Sequence, residues 1–312
     1  MRIIVAALLC LFASIPVRSQ LVNAPVAPDL RYVPAPDFFR LPPNANFGAV
    51  SGVAINSKGN IFVLSRGPRP IMEFDANGRF IRAFGEGLFD RPHGLRIDAQ
   101  DNIWTTDGGS HIVLKFNPEG RVVMVLGVRG TAGHWHPYGH LRLFTEPNDV
   151  AFGLAGEIYV TQGHGGKGEN LVNKFDRDGN HIKIWGRKGK AQGEFDVPHS
   201  VAVDAQGLVY VADRGNQRIQ VFDGDGNFIR ESLHPGTPAG LDISTDGHIY
   251  LAHGHAAQII KLDLNGKVLG VTGSQGKAPG QYGEAHFITV NQRGEIYVAD
   301  TLNWRVQKLV RK

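Results

Sequence analysis

Short apolar stretches alternate along this chain with polar turns, and the alternation itself recurs. An apolar strand, a turn carrying Asp or Asn with Gly, and a second strand of the Ile/Val-Tyr-Val type appear at 52–66, 94–107, 149–163, 200–213, 240–253 and 287–300. A third apolar stretch follows each copy, at 71–74, 112–116, 171–175, 219–222, 259–262 and 306–309. A fourth is legible at 80–85, 122–127, 181–186 and 228–231. The Asn-Gly, Asp-Gly and Glu-Gly pairs between them supply the positive φ that tight hairpins need. Aligned on Val53, Leu95, Val150, Val201, Leu241 and Ile288, the copies are spaced by 42, 55, 51, 40 and 47 residues. Four short strands every ~40–50 residues predict an all-β chain folded as a six-bladed β-propeller. The sixth unit has only three strands before Lys312. The stretch 30–35 is expected to add the fourth, closing the ring and covering the open edge. A solenoid would need capping units that the pattern does not supply.

Composition agrees with this pattern. With 42% hydrophobic and 20% charged residues the chain can bury a core. Its 40 glycines in 312 residues, nearly twice the usual ~7%, are the turn inventory of many short strands. The apolar run Ile3–Ile15 after Arg2 is shorter than the ~20 residues of a membrane span and reads as a secretory leader. The expected division is therefore a signal peptide over 1–19 and a single propeller over 20–312, secreted or periplasmic, with no stable membrane span. The one cysteine, Cys10, lies in the leader, which excludes disulfides and thiolate metal sites from the body. Loss of Arg2 and Arg18 takes the net charge from +4 to +2, too little for nucleic-acid binding.

The candidate chemistry comes from the repeat register. Two residues before the aligned positions stand Ser51, His93, Asn148, His199, Ala239 and His286. The histidines fall on blades two, four and six, so three imidazoles should meet at the axis ~120° apart, as in a three-histidine zinc site with an open position. Copper, nickel and iron suit the same ligands. The ends of the second strands give a second set: Arg66, Asp107, His164, Arg214, His253 and Asp300. Arginines beside a metal imply a substrate with a carboxylate. Arg214 has a competing structural reading, in the turn Ala212-Asp-Arg-Gly-Asn-Gln-Arg218. The His-rich stretch 133–140 is read as a variable loop, and His111, His181, His234 and His248 as solvent-facing.

The copy Val211–Val221 resembles an NHL repeat. Arg91-Pro-His-Gly and Val197-Pro-His-Ser resemble the zinc-ligand motifs of the peptidyl-α-hydroxyglycine α-amidating lyases. The resemblance runs from about Phe47 to the end. It implies zinc on His93, His199 and His286, catalytic arginines at Arg66 and Arg214, and release of an amide and glyoxylate from a small-molecule or peptide C-terminal substrate. It also implies a calcium held partly by the carbonyls of Val50 and Leu95. Here, however, Phe287 stands where the family has an Asp, so calcium is expected to bind weakly. His164 falls at the place of the family's catalytic tyrosine and is expected to act as its base. Glu284 replaces a methionine and is a further ligand or acid–base candidate. Two readings stay open beside this one: a related lyase or hydrolase of another amidoglycolate or α-hydroxy acid, and a non-enzymatic propeller that binds a protein or glycan.

Overall fold

The computed structural model describes residues 27–133, 143–165, 168–234 and 236–312. The leader and most of the His-rich loop, including His134, His136 and His140, lie outside them. Six four-stranded antiparallel sheets are arranged as the blades of a propeller. Their inner strands are Val50–Ile55, Pro92–Ile97, Pro147–Phe152, Pro198–Val203, Pro238–Ile243 and Ala285–Val290. The fifth blade has the fourth strand that the sequence pattern left unmarked, Val268–Thr272.

The sixth blade is closed as expected. Tyr32–Pro34 pairs antiparallel with Arg305–Arg311 and is the outermost strand of that sheet. The segment around it laces three blades: Leu30 donates its N–H to Val271 on blade five, and Arg40 to Gly78 on blade one. Tyr32 is buried against Tyr250, Tyr282 and Leu309, and its hydroxyl donates to the Gly294 carbonyl at 2.8 Å. Tyr32→Ala is therefore expected to destabilise the protein by about 3 kcal/mol, measured by denaturant titration; a change within 0.5 kcal/mol would mean that this closure contributes little.

Among the described residues the core is divided. Six apolar clusters each lie between two neighbouring blades. One example joins Phe62, Leu64 and Ile71 of the first blade to Leu95, Ile103 and Phe116 of the second. The alternation along each strand supplies this, one face to each neighbour. The innermost strands are left to line the axis.

Each innermost strand has the same irregularity. The ladder with the second strand shifts register just after its first residue: between Val50 and Gly52, Pro92 and Leu95, Pro147 and Asp149, Pro198 and Ser200, Pro238 and Gly240, and Ala285 and Ile288. Bulges re-aim a side chain and commonly stand beside functional sites. The residues inside these six bulges include the ring read from the sequence: Ser51, His93, Asn148, His199, Ala239 and His286. Glycine follows several of them because the strands crowd around the axis: a Cβ on Gly94 would lie 2.6 Å from the Asn148 carbonyl.

Candidate metal centre

The bulges bring the three histidines together. Ring centroids lie 4.6 Å apart for His93 and His199, and 4.9 Å for His286 with either. All three side chains are buried. Each ring is fixed the same way, through Nδ1, by the carbonyl of the next bulge around the axis. His93 faces the Asn148 carbonyl at 2.7 Å, His199 that of Ala239 at 3.1 Å, and His286 that of Ser51 at 2.8 Å. A carbonyl only accepts, so Nδ1 carries the proton and Nε2 keeps its lone pair. Nε2 of His93 and of His199 is buried and meets no hydrogen-bonding group among the described residues. Inward lone pairs, each ring steered by a carbonyl behind it, are the donor set a borderline metal such as zinc takes.

His164 joins this cluster. One ring nitrogen each from His93, His164 and His199 lies within 4.8 Å of the others, and its ring stands 4.6 Å from that of His93. Its Nδ1 is 3.4 Å from Nη1 of Arg91, whose Nη2 donates to Glu146 at 2.8 Å; Glu146 in turn accepts from the Gly165 N–H. A guanidinium only donates, so Nδ1 accepts here and Nε2 of the neutral ring carries the proton. The reading of His164 as a base thus meets a ring whose free edge is a donor. Arg91 and Glu146 were not singled out from the sequence. Their signal was available, because both stand two residues before a bulge position, as Glu284 does before His286.

Burial holds the imidazoles neutral. The pKa values of His93 and His199 fall well below the ordinary 6.5, chiefly through desolvation, with neighbouring positive groups adding to it. His286 and His164 are lowered to about 3 for the same reason. Because the folded values are depressed, the unfolded chain binds the extra protons. Stability is full above pH 6.5 and is lost as pH falls toward about 3. The loss is on the order of 1 kcal/mol per pH unit for each ring. Chelator-treated protein should show this in melts between pH 7 and 4, and saturating zinc should delay it; a melting temperature flat across that range would contradict the buried neutral ring.

Arg66 and Arg214 stand at the same mouth. Each guanidinium is pulled below its ordinary pKa by burial, Arg66 also by Arg91, and Glu284 acts on both in the opposite sense. Arg66 makes one long hydrogen bond, Nε to the Pro92 carbonyl at 3.3 Å, and the Arg214 side chain hydrogen-bonds to none of the described residues. The turn reading of Arg214 passes instead to its neighbours. Asp213 pairs with Arg218 at 2.8 Å, and Arg218 also caps the carbonyls of Lys190, Ala191 and Glu194. Asp300 and Arg305 repeat that arrangement in blade six.

Other expectations are corrected. Asp107, His253 and Asp300 lie one position before Arg66 and Arg214 in the register and do not join them. Asp107 accepts from the N–H groups of Asp90, Arg91 and Gly109, and Asp300 from that of Gly283. They tie strand ends to the incoming loop. His234 is buried, not solvent-facing; its Nε2 lies 3.1 Å from the Ser232 hydroxyl. The Val50 carbonyl, named with that of Leu95 as a calcium ligand, accepts one hydrogen bond from the Thr301 hydroxyl at 2.6 Å and keeps a second lone pair, and the Leu95 side chain is buried at the interface of blades one and two. Phe287 packs against all three histidines, 5.0–5.8 Å between centroids.

Residues 89–116 and 195–222, which contain His93, His199 and Arg214, match the NHL repeat family model. The chain carries NHL repeats. This NHL-repeat propeller is 36% identical over 193 residues to mouse NHL repeat-containing protein 3, covering 59% of this chain and 55% of that one. It is 33% identical over 207 residues to the probable peptidyl-alpha-hydroxyglycine alpha-amidating lyase of Caenorhabditis elegans, covering 58% and 57%. The chain spans about half the length of the curated relatives it matches. Among solved structures, one described as a streptogramin B lyase superposes with TM-score 0.65 at 15% identity, over 90% of this chain and 98% of that one, a likeness of fold alone.

Proposed function

We propose that this mouth binds an N-acylated α-hydroxyglycine through its carboxylate and cleaves the C–N bond to give an amide and glyoxylate. The observation that carries the reading is the pairing of three buried imidazoles, each held through Nδ1 by a carbonyl, with two arginines that make little hydrogen bonding of their own. His93, His199 and His286 would hold zinc, which when bound lowers the pKa of a hydroxyl and polarises its oxygen. Arg66 and Arg214 receive the carboxylate. The hydroxyl proton leaves, its electron pair becomes the aldehyde C=O, the C–N bond breaks, and the departing nitrogen takes up a proton. His164, its Nδ1 capped by Arg91, offers Nε2–H to the reacting oxygen or nitrogen. Glu284, whose charge acts on both arginines, would carry the proton from the hydroxyl oxygen to the departing nitrogen. The similarity to a relative named as an amidating lyase supports the reaction class, and the leader-like N-terminus supports a site of action outside the cytoplasm.

The test is glyoxylate release by purified protein from a hydroxyglycine-ended peptide, beside a ureidoglycolate-type acid to separate the peptide substrate from smaller ones. No release from either, in zinc-loaded protein, would end the lyase reading. His164 gives a finer prediction. Glutamine presents an N–H much as Nε2–H does, so His164→Gln should retain at least about tenfold more activity than His164→Ala. Equal loss in both would return His164 to the role of base.

A further inference from the structure

Below the histidine ring, three residues further along each strand, lies a second ring around the axis. Its members are Ala54, Arg96, Ala151, Ala202, Asp242 and Thr289. Four are small, as a narrow channel requires. Arg96 crosses the space they leave. Its side chain is 13% exposed, and it pairs with Asp149, whose side chain is fully buried: Nε to Oδ1 at 3.0 Å and Nη2 to Oδ2 at 2.6 Å. Nη2 also reaches the Ser200 hydroxyl at 3.1 Å and the Leu241 carbonyl at 2.7 Å. The guanidinium carbon lies 5.5 Å from the centre of the Phe287 ring. The network continues beyond Arg96: Asp149 accepts from the Ser200 hydroxyl at 2.6 Å and from the N–H groups of Val150 and Val201, and Ser200 accepts from the Leu241 N–H at 3.0 Å. One guanidinium on blade two thus touches blades three, four, five and six.

These partners sit immediately beside the residues that build the metal centre. Asp149 follows Asn148, whose carbonyl orients His93. Ser200 follows His199, Phe287 follows His286, and Leu241 is two residues past Ala239, whose carbonyl orients His199. On its other side Arg96 faces a cavity of about 750 Å³ at the opposite mouth, lined also by Asp242, Thr289 and Asn56.

We propose that Arg96 is the built-in cation of the channel, a positioning residue that fixes the spacing of the three-histidine ring and makes a divalent cation on the axis unnecessary. A carbonyl and a carboxylate from different blades converge there, and the five-donor fork of a guanidinium satisfies both while its flat face stacks on Phe287. A second cation would meet a fixed positive charge, and the Asp149 and Leu241 oxygens that Arg96 already engages. The metal part of this proposal rests on the zinc reading above; the axial part does not.

The experiment therefore reads metal binding and melting, not glyoxylate. Arg96→Met, with Arg96→Lys and the charge-neutral pair Arg96→Met/Asp149→Asn, is titrated with zinc against a chelator and loaded with cobalt for its visible spectrum. Arg96→Met should weaken zinc by about tenfold or more, the range found when groups behind a ligand are removed, and shift the cobalt bands; Arg96→Lys should recover part of both. If Arg96→Met does not fold, the double variant has the same two readouts, because it removes the Asp149 carboxylate together with its cation. Folded variants with wild-type zinc affinity and cobalt spectrum overturn the positioning role. In parallel, the unmodified protein is melted in millimolar calcium and in a calcium chelator. Coincident melts are expected, and a calcium-dependent rise overturns the built-in cation. Failure of the wild type to bind zinc or cobalt would instead strike the proposed function, and the calcium comparison would still be read.

Discussion

His93→Ala is expected to lose its bound metal and to lower glyoxylate release by about three orders of magnitude while the propeller stays folded. The ring sits in a bulge and contributes its Nδ1–H bond to the Asn148 carbonyl and its Nε2 to the site, but no strand pairing depends on its side chain. Removing it leaves two fixed imidazoles, one ligand short of a closed face. Lewis-acid help to a departing or forming oxygen is worth several kcal/mol, and each ~1.4 kcal/mol is tenfold in rate. His248→Gln is the control, since that ring pairs with Asp246 at 3.2 Å on a turn far in sequence from the ring. Metal analysis after gel filtration, with a far-ultraviolet spectrum to check the fold, decides the matter. One equivalent of metal retained by His93→Ala would remove this histidine from the ligand set.

The repeat made the ring of bulge positions legible, because equivalent residues of a repeat occupy equivalent places even when their side chains differ. His93, His199 and His286 could be aligned without knowing that a bulge turned them inward. The same alignment, off by one residue, placed Asp107, His253 and Asp300 with Arg66 and Arg214. Sequence spacing does not say where a strand ends, and Asp107 and Asp300 are the last strand residues, whose carboxylates turn back to bind loop N–H groups. Arg214 was ambiguous for a related reason: the turn contains two arginines, and only the structure shows that Asp213 is taken by Arg218 and leaves Arg214 uncommitted. Arg96 went unread although its signal was plain, a long cation among alanines at one register position. Arg91 and Glu146 share one register position, but what they do there, a contact between blades 55 residues apart, shows only in the fold.

Arg214→Met is expected to separate function from stability in opposite directions. In the resting protein the Arg214 guanidinium is partly buried, hydrogen-bonds to none of the described residues and is pulled below its ordinary pKa by that burial. Glu284 and Asp196 offset part of that cost, but neither carboxylate hydrogen-bonds to the guanidinium, and a desolvated cation so held costs folding free energy that a thioether of similar reach does not. The variant should therefore melt higher, by about 2–4 °C for a domain of this size. The same change removes a charge-assisted contact to the substrate carboxylate, and kcat/KM should fall by about 10²–10³. Most of the loss should appear in KM if the arginine holds the ground state and the departing group equally, and in kcat if it grips only as the C–N bond breaks. Arg214→Lys keeps the charge but loses the planar fork, so it should recover the melting temperature of the wild type and only part of the activity. Ligand response gives an independent reading: a carboxylate product such as glyoxylate should raise the melting temperature of the wild type and not that of Arg214→Met. A variant that melts lower and keeps its turnover would mean that Arg214 is a scaffold residue after all, and the carboxylate site would then have to be rebuilt around Arg66 and Arg91.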